Sequence, residues 1–134
     1  MGTWSGEPFG NDMAADFAWE LDGRRRWNLV KNALREADRG AGQLEAGTAA
    51  IAIAAAEVVA HGLGHPTQSD AYTESVEAFV DRARKPSRRL ARLAQRALAM
   101  ATSAESELAE LWAEGDAEEW DAANARLRAV LASS

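Results

Sequence analysis

The sequence predicts an all-α protein: a compact single-domain bundle of six or seven short helices with an irregular, anchored N-terminal arm. Three observations predict this fold. Of the 134 residues, 31 are alanine, the strongest helix former. Valine and isoleucine, which favour strands, total only eight. The larger apolar residues recur at every third or fourth position, as on helices that bury one face. The length suits one domain, so residues 1–134 are predicted to form a single helical domain.

The first ten residues differ in composition from the rest of the chain. Residues 1–10 combine glycines, a proline and two aromatic side chains, which predicts an irregular arm anchored to the core by Trp4 and Phe9. A first helix is predicted over 12–22, because Asn11 is a good N-cap and apolar residues recur there at every fourth position.

Two helices follow the first. The second is predicted over 25–38 and ends at Gly40-Ala41-Gly42. The third is predicted over 43–60. Between Glu45 and Glu57 it carries no charged residue, so we expect it to be the central buried helix.

Residues 62–69 are rich in glycine and polar residues and form the clearest loop. Four more helices are predicted after it. The fourth is capped by Ser69 or Asp70 and stops before Pro86, and the fifth is capped by Ser87 and ends at Thr102-Ser103. The sixth covers about 105–114, and the seventh follows Gly115-Asp116. The expected apolar stripe of the fourth helix is Tyr72, Val76, Phe79 and Val80, and in the sixth helix Trp112 is expected to be a largely buried anchor.

The composition excludes several classes of function. The chain has no cysteine, so it has no disulfide, thiolate nucleophile or cysteine-based metal site. Its formal net charge is −6, which is unfavourable for uniform binding to phosphate backbones. The first residues lack a basic segment and an apolar run, so no signal peptide is expected. We therefore expect a soluble cytoplasmic protein without a cofactor or membrane contact, and its oligomeric state stays open.

The arm and the first helix form one candidate site for a ligand or partner. Asp12, Asp16 and Glu20 are spaced by four residues and share a helix face, where they could hold a cation or act as acid and base. In that case Asp12, Asp16, Asn11 and Trp4 would line a pocket. The plainer interpretation is that Asn11 caps the helix and Asp12 interacts with its dipole, while Asp16 and Glu20 face water.

Trp19 lies off the apolar stripe of the first helix. Among the five tryptophans it is therefore the one we expect to be exposed or used in binding.

A second candidate site contains Glu57, His61 and His65, which are also spaced by four residues. On one continuous helix these three side chains would make a weak candidate for a metal site. Gly62 and Gly64 interrupt that helix, however, so no metal site is predicted. The alternative interpretation is that His61 and His65 are surface histidines near a helix end and bind no metal.

Charge is segregated along the second half of the chain. Residues 82–96 contain seven of the fifteen basic residues and no acid, whereas residues 105–121 contain eight of the 21 acids and no base. Arg88, Arg92 and Arg96 lie on one stripe of the fifth helix. This stripe is a candidate patch for nucleic acid or another anionic partner, or a solvated face compensated by the acidic sixth helix.

The opening residues resemble those of a protein family. Met1-Gly2-Thr3-Trp4 is followed by Pro8-Phe9, Asn11-Asp12 and Asp16-Phe17. The chain thereby resembles a bacterial, largely actinobacterial domain-of-unknown-function family whose members begin M-G-x-W-G-x-G-P-F-x-N-D-x-A-x-D. The likeness continues through the alanine-rich segment 49–60 and the C-terminal tryptophans. It implies a small, mostly helical protein and no particular activity. The chain departs from the motif at Ser5 and Glu7, where the family usually has glycine.

Three functional hypotheses follow. The first is a non-enzymatic interaction module that binds a protein partner through a charged face, for example as an immunity protein or antitoxin. The second is an enzyme or small-ligand protein with its pocket at the arm. The third, less favoured, is nucleic-acid binding through Arg88, Arg92 and Arg96. No Ser-His-Asp spacing, phosphate-binding glycine loop or nucleotide fingerprint occurs, which favours the first hypothesis.

Overall fold

A computed structural model describes residues 2–40 and 43–133. Within these ranges the chain forms seven α-helices and no strand longer than an isolated bridge, between Thr3 and Asn11. The predicted all-α bundle is thus confirmed. The helices are α1 (Asp12–Glu20), α2 (Asn28–Asp38), α3 (Ala46–Gly62), α4 (Glu74–Arg82), α5 (Arg88–Ala101), α6 (Glu107–Ala113) and α7 (Glu118–Ala132). None of these helices is long and apolar enough to cross a membrane.

The third helix is the centre of the bundle, as predicted. Thirteen of its 17 residues are buried, and every other helix packs against it, most extensively α5 and α2. Eight of the buried residues are alanine, whose small side chain lets neighbouring helices approach closely. The central position of α3 therefore follows from its alanine-rich, uncharged sequence.

Several helix boundaries match the predicted caps. The side chains of Asn11 and Ser87 accept hydrogen bonds from the backbone N–H groups of Ala14 and Leu90, which starts α1 and α5 as expected. The first helix ends at Glu20, two residues early, before a turn at Gly23, where φ is +76°.

Four predicted helices begin later in the structure. The third begins at Ala46 and not at residue 43, and the sixth begins at Glu107 and not at about residue 105. The second starts at Asn28 and not at residue 25; at its N-cap, the Trp27 indole donates a hydrogen bond to the carbonyl oxygen of Arg84 (2.7 Å). Before α4, Asp70 caps a short 3-10 turn, Ala71–Thr73, and the α-helix begins only at Glu74. Ala41 and Gly42, at the expected end of the second helix, lie outside the described residues.

The N-terminal arm folds back on itself and is anchored by Phe9. Backbone hydrogen bonds join Trp4 to Gly10 and Asp12 to Gly2 (both 2.9 Å), which makes the arm a narrow hairpin. Phe9 is fully buried, as expected for an anchor. At Gly6 the arm lies so close to the backbone of α7 that a Cβ atom would clash with Trp120, so glycine is required there.

Three large side chains assigned to the core from the sequence lie nearer the surface. Trp4 is 44% exposed and does not anchor the arm, and Tyr72 is 50% exposed because it lies in the 3-10 turn and not on α4. Trp112 is only partly buried. It stacks on Trp120, with ring centroids 5.9 Å apart, and Trp120 is the ring that enters the core.

The two stacked tryptophans make a matched pair of test positions. Trp120→Ala removes a buried ring and should lower the free energy of unfolding by about 3–5 kcal/mol. Trp112→Ala removes a ring that covers the core from outside and should cost about 2 kcal/mol or less. Urea unfolding of both variants measures the difference, and equal costs would contradict the assigned burial.

Candidate functional site

A strongly basic surface surrounds the first half of α5. Two clefts flank this part of the helix. One has a volume of about 540 Å³, with Lys85, Arg88 and Arg92 in its lining. The other has about 500 Å³ and lies between α5 and α2. Both are open grooves rather than enclosed cavities, so they suit contact with a surface better than burial of a small molecule.

The second helix contributes to the same surface, although the charge pattern of the sequence indicated only the fifth. Lys31, Arg35 and Arg39 are spaced by four residues, so they share the outer face of α2 and line its groove with α5. We call the combined surface the basic face. It consists of nine of the fifteen cations: Lys31, Arg35, Arg39, Arg84, Lys85, Arg88, Arg89, Arg92 and Arg96.

Few acids lie among the cations that line the two grooves. Asp38 is the one acid that lines the two grooves, and it pairs with Arg96 at 3.3 Å. In the described part of the chain the other eight cations make no ion pair. The acidic α6 packs on α3 and gives no ion pair to α5, so the compensation considered from the sequence is not found among these residues.

The basic face arises from how α2 and α5 pack. Both helices turn an apolar stripe inwards, toward α3 and each other, and this leaves their charged faces side by side. Leu90 and Leu93 are buried at the floor of the groove between the helices, and Trp27 closes one end. The groove therefore has an apolar floor and a cationic rim.

The residues of the predicted arm site do not form one pocket. Asn11 is occupied as the cap of α1, and Asp12 accepts a hydrogen bond from the backbone of Gly2 (2.9 Å). Asp16 is exposed. A cavity under the arm is lined by Asn11 but by neither aspartate, and its volume of about 20 Å³ holds about one water molecule.

The aromatic members of the arm site lie on an outer surface. Trp19 is 73% exposed, so the expected exposure is confirmed. Trp4 contacts Tyr72, with ring centroids 5.2 Å apart. These rings lie beside α1 and the 3-10 turn, and none of them lines either groove of the basic face.

Glu57 is fully buried at the centre of α3 and holds the loop that follows. Its Oε2 atom accepts hydrogen bonds from the backbone N–H groups of Thr67 and Gln68, both at 2.8 Å, and Oε1 accepts one from the Thr67 hydroxyl at 2.6 Å. Gln68 in turn accepts a hydrogen bond at Oε1 from the backbone N–H of Phe9 (2.8 Å). A chain of hydrogen bonds thus joins the core helix, the loop and the arm.

The two histidines have different surroundings. The Nε2 atom of His61 lies 2.8 Å from the carbonyl oxygen of Gln68 and 3.2 Å from Oε2 of Glu57. Because both neighbours are acceptors, Nε2 carries a hydrogen and donates it. His65 is exposed and lines a groove of the basic face. His65 therefore does not join Glu57 and His61, and the described residues contain no group of three or more such ligands placed to hold a metal ion.

Glu7, one of the departures from the motif, is in an unfavourable position for a charge. Burial raises the pKa of its carboxyl above the usual 4.5, and the negative charges of Glu119, Glu57 and Asp70 raise it further. The positive charge of Arg126 lowers the pKa but does not outweigh these effects. Its Oε1 atom lies 3.5 Å from Arg126, while Oε2 is buried without a hydrogen-bond partner among the described residues. Protonation of Glu7 therefore favours the folded state.

A comparison with protein families matches residues 2–123, nearly the whole chain, to the family model "Domain of unknown function (DUF4259)". No curated protein matches the chain, and neither does any solved structure.

The hydrogen bonds to Glu57 can be tested by removing the carboxylate. Glu57→Ala leaves the buried N–H of Gln68 and the partly buried N–H of Thr67 without their acceptor, and it should lower the free energy of unfolding by about 3 kcal/mol or more. Glu45→Ala, at the exposed start of the same helix, is the matched control and should cost less than about 0.5 kcal/mol. Similar costs for the two variants in urea unfolding would show that Glu57 does not hold the loop.

The raised pKa of Glu7 gives a pH-dependent test. The folded carboxyl keeps its proton to higher pH than the unfolded one, so its contribution to stability falls as the pH rises from 4.5 through the raised pKa. Glu7→Gln removes this titration, and the stability should then decline less steeply over that interval. Thermal unfolding between about pH 4 and pH 7 measures the slope. The exposed Glu105→Gln should keep the wild-type slope, and a wild-type slope in Glu7→Gln would refute the assignment.

Proposed function

The chain belongs to the DUF4259 family of domains of unknown function, and we propose that it is a non-enzymatic interaction module whose basic face binds an acidic surface of a partner protein. The observation that carries the proposal is the group of eight cations with no ion pair in the described chain. Like charges held together repel one another, and an anionic partner relieves that repulsion while it gains attraction.

The groove between α2 and α5 supports a protein as the partner. Arginine and tryptophan are enriched at the centres of protein interfaces, and this groove combines both with an apolar floor at Leu90 and Leu93. The long arginine stems can cover apolar surface of the partner while their guanidinium groups bind its carboxylates in pairs of hydrogen bonds.

The charge outside the basic face favours a compact partner over a long nucleic acid. Twenty of the 21 acids lie outside the two grooves. A polyanion that extended past the face would meet this acidic surface, whereas a folded protein can present a patch of limited size. Nucleic-acid binding is the second candidate, and it rests on the same Arg88, Arg92 and Arg96.

Neutralising another protein is one biological form of such binding. An immunity protein or antitoxin acts by covering a surface of its target, and that action requires a complementary face and no catalytic residue. The basic face and the small size of the chain suit this role.

Two double variants with equal charge change test the proposal. Arg88→Gln/Arg92→Gln neutralises the basic face, and Arg25→Gln/Arg26→Gln neutralises two exposed arginines that line neither groove. At low salt a polyglutamate peptide should bind the wild-type chain, and the first double variant should weaken binding about fivefold or more. The second should weaken it less than about twofold.

The salt concentration and a second probe complete the test. The affinity for polyglutamate should fall as salt is raised, because the contacts are between exposed charges. Equal weakening by the two double variants, or no binding at low salt, would contradict the proposal. Tighter binding of a single-stranded oligonucleotide than of polyglutamate at the same salt would replace it with the nucleic-acid function.

A further inference from the structure

A second surface, separate from the basic face, exposes three large aromatic side chains. Trp19, Tyr72 and Trp4 are 73%, 50% and 44% exposed, and two of them are in ring contact. Small proteins rarely leave such groups together in water, because each exposes a large apolar area. Exposed clusters of tryptophan and tyrosine are typical of binding sites.

Trp19 and Tyr72 form the walls of a cleft of about 150 Å³, which we call the aromatic cleft. Its lining is completed by small or polar residues: Ala15, Ala18, Ala71, Glu74 and Ser75. Ala15 lies one turn before Trp19 on α1, and its single methyl group leaves the indole ring accessible. The cleft thus offers ring faces and one carboxylate to a ligand.

The charges around the aromatic cleft are negative. Glu74 lies in its lining, and Asp12 and Asp16 share the outer face of α1 with Trp19. Among the described residues, no cation lines the cleft. A ligand that complements this surface therefore carries positive charge.

We propose that the aromatic cleft binds an arginine or lysine side chain from a basic segment of a partner protein. A cation gains attraction from the electron-rich faces of Trp19 and Tyr72, and Glu74 supplies a counter-charge beside them. This site differs from the basic face in location and in ligand charge. The chain thus has two surfaces, one for acidic and one for basic groups, and failure of either proposal leaves the other standing.

A short Gly-Arg repeat peptide is the probe, and nuclear magnetic resonance locates where it binds. The five indole N–H groups give separate reporters, and the Trp19 signal is assigned by its loss in Trp19→Ala. Saturable shifts of the Trp19 indole and of the Tyr72 and Ser75 amides are expected. The indoles of Trp112 and Trp120, beside the acidic sixth and seventh helices, should not shift.

Single variants measure the contribution of each group to the affinity. Trp19→Ala should weaken peptide binding about two- to fivefold, as loss of an exposed cation–π contact predicts. Glu74→Gln should weaken it about twofold, and the exposed Glu105→Gln, with the same charge change, should leave it unchanged. Trp19 is exposed, so its replacement should leave the fold intact, and Glu74→Gln retains both aromatic walls.

Three outcomes would overturn the proposal. Absence of saturable binding, or shifts spread over all acidic surfaces, would mean that the cleft does not select cations. Equal weakening of peptide binding by Glu74→Gln and Glu105→Gln would mean that the peptide is attracted by the overall negative charge and not by Glu74 in the cleft. Shifts of the Trp19 signal that depend on protein concentration without peptide would assign the cleft to the basic face of a second copy of this chain.

Discussion

The buried carboxylate of Glu57 is the constraint on which the arrangement of the arm and loop depends. It is fully buried on α3 and accepts three hydrogen bonds from Thr67 and Gln68. A buried carboxylate without such partners would be strongly unfavourable. If the loop moved away from α3, the Glu57 carboxylate would either become exposed to water or remain buried without hydrogen-bond donors. The interaction therefore keeps the loop against the core. Because Gln68 also holds the backbone of Phe9, the arm depends on the same interaction. Core helix, loop and arm are therefore one cooperative unit.

The alanine-rich surface of α3 provides the second constraint, since it sets which helices become neighbours. Small side chains allow α2 and α5 to pack on α3 and on each other. Each of these helices is amphipathic, so their close packing brings two rows of cations together at the surface. The basic face is thus a consequence of core packing, and its proposed function uses a surface that neither helix would form alone.

The sequence predicted those parts of the fold that depend on local chemistry. The burial of α3 and the caps at Asn11 and Ser87 follow from residues within one or two turns. The position of Tyr72 was missed, because a capping box at Asp70 diverts the chain into a 3-10 turn before α4. The hydrogen bonds of this capping box thus determine the backbone here, although the spacing of the apolar residues favours an α-helix.

The candidate sites were less predictable, because they join distant segments. The stripe on α5 was visible in the sequence, but its extension by Lys31 and Arg35 depends on the pairing of α2 with α5. The spacing of Glu57 and His61 was also visible. It made these residues only a weak candidate for a metal site. The partners of Glu57 that the structure shows, the N–H groups of a loop ten residues away, appear only in three dimensions.

Native-state amide hydrogen exchange tests the central claim, that Glu57 joins loop and arm to the core, most directly. The amide hydrogens of Thr67, Gln68 and Phe9 donate to this network, although all three residues lie outside the helices. If the account is right, all three exchange slowly, with opening free energies close to those of the α3 core. Exchange of the Thr67 and Gln68 amides at the rate of an open surface loop, while α3 stays protected, would contradict it.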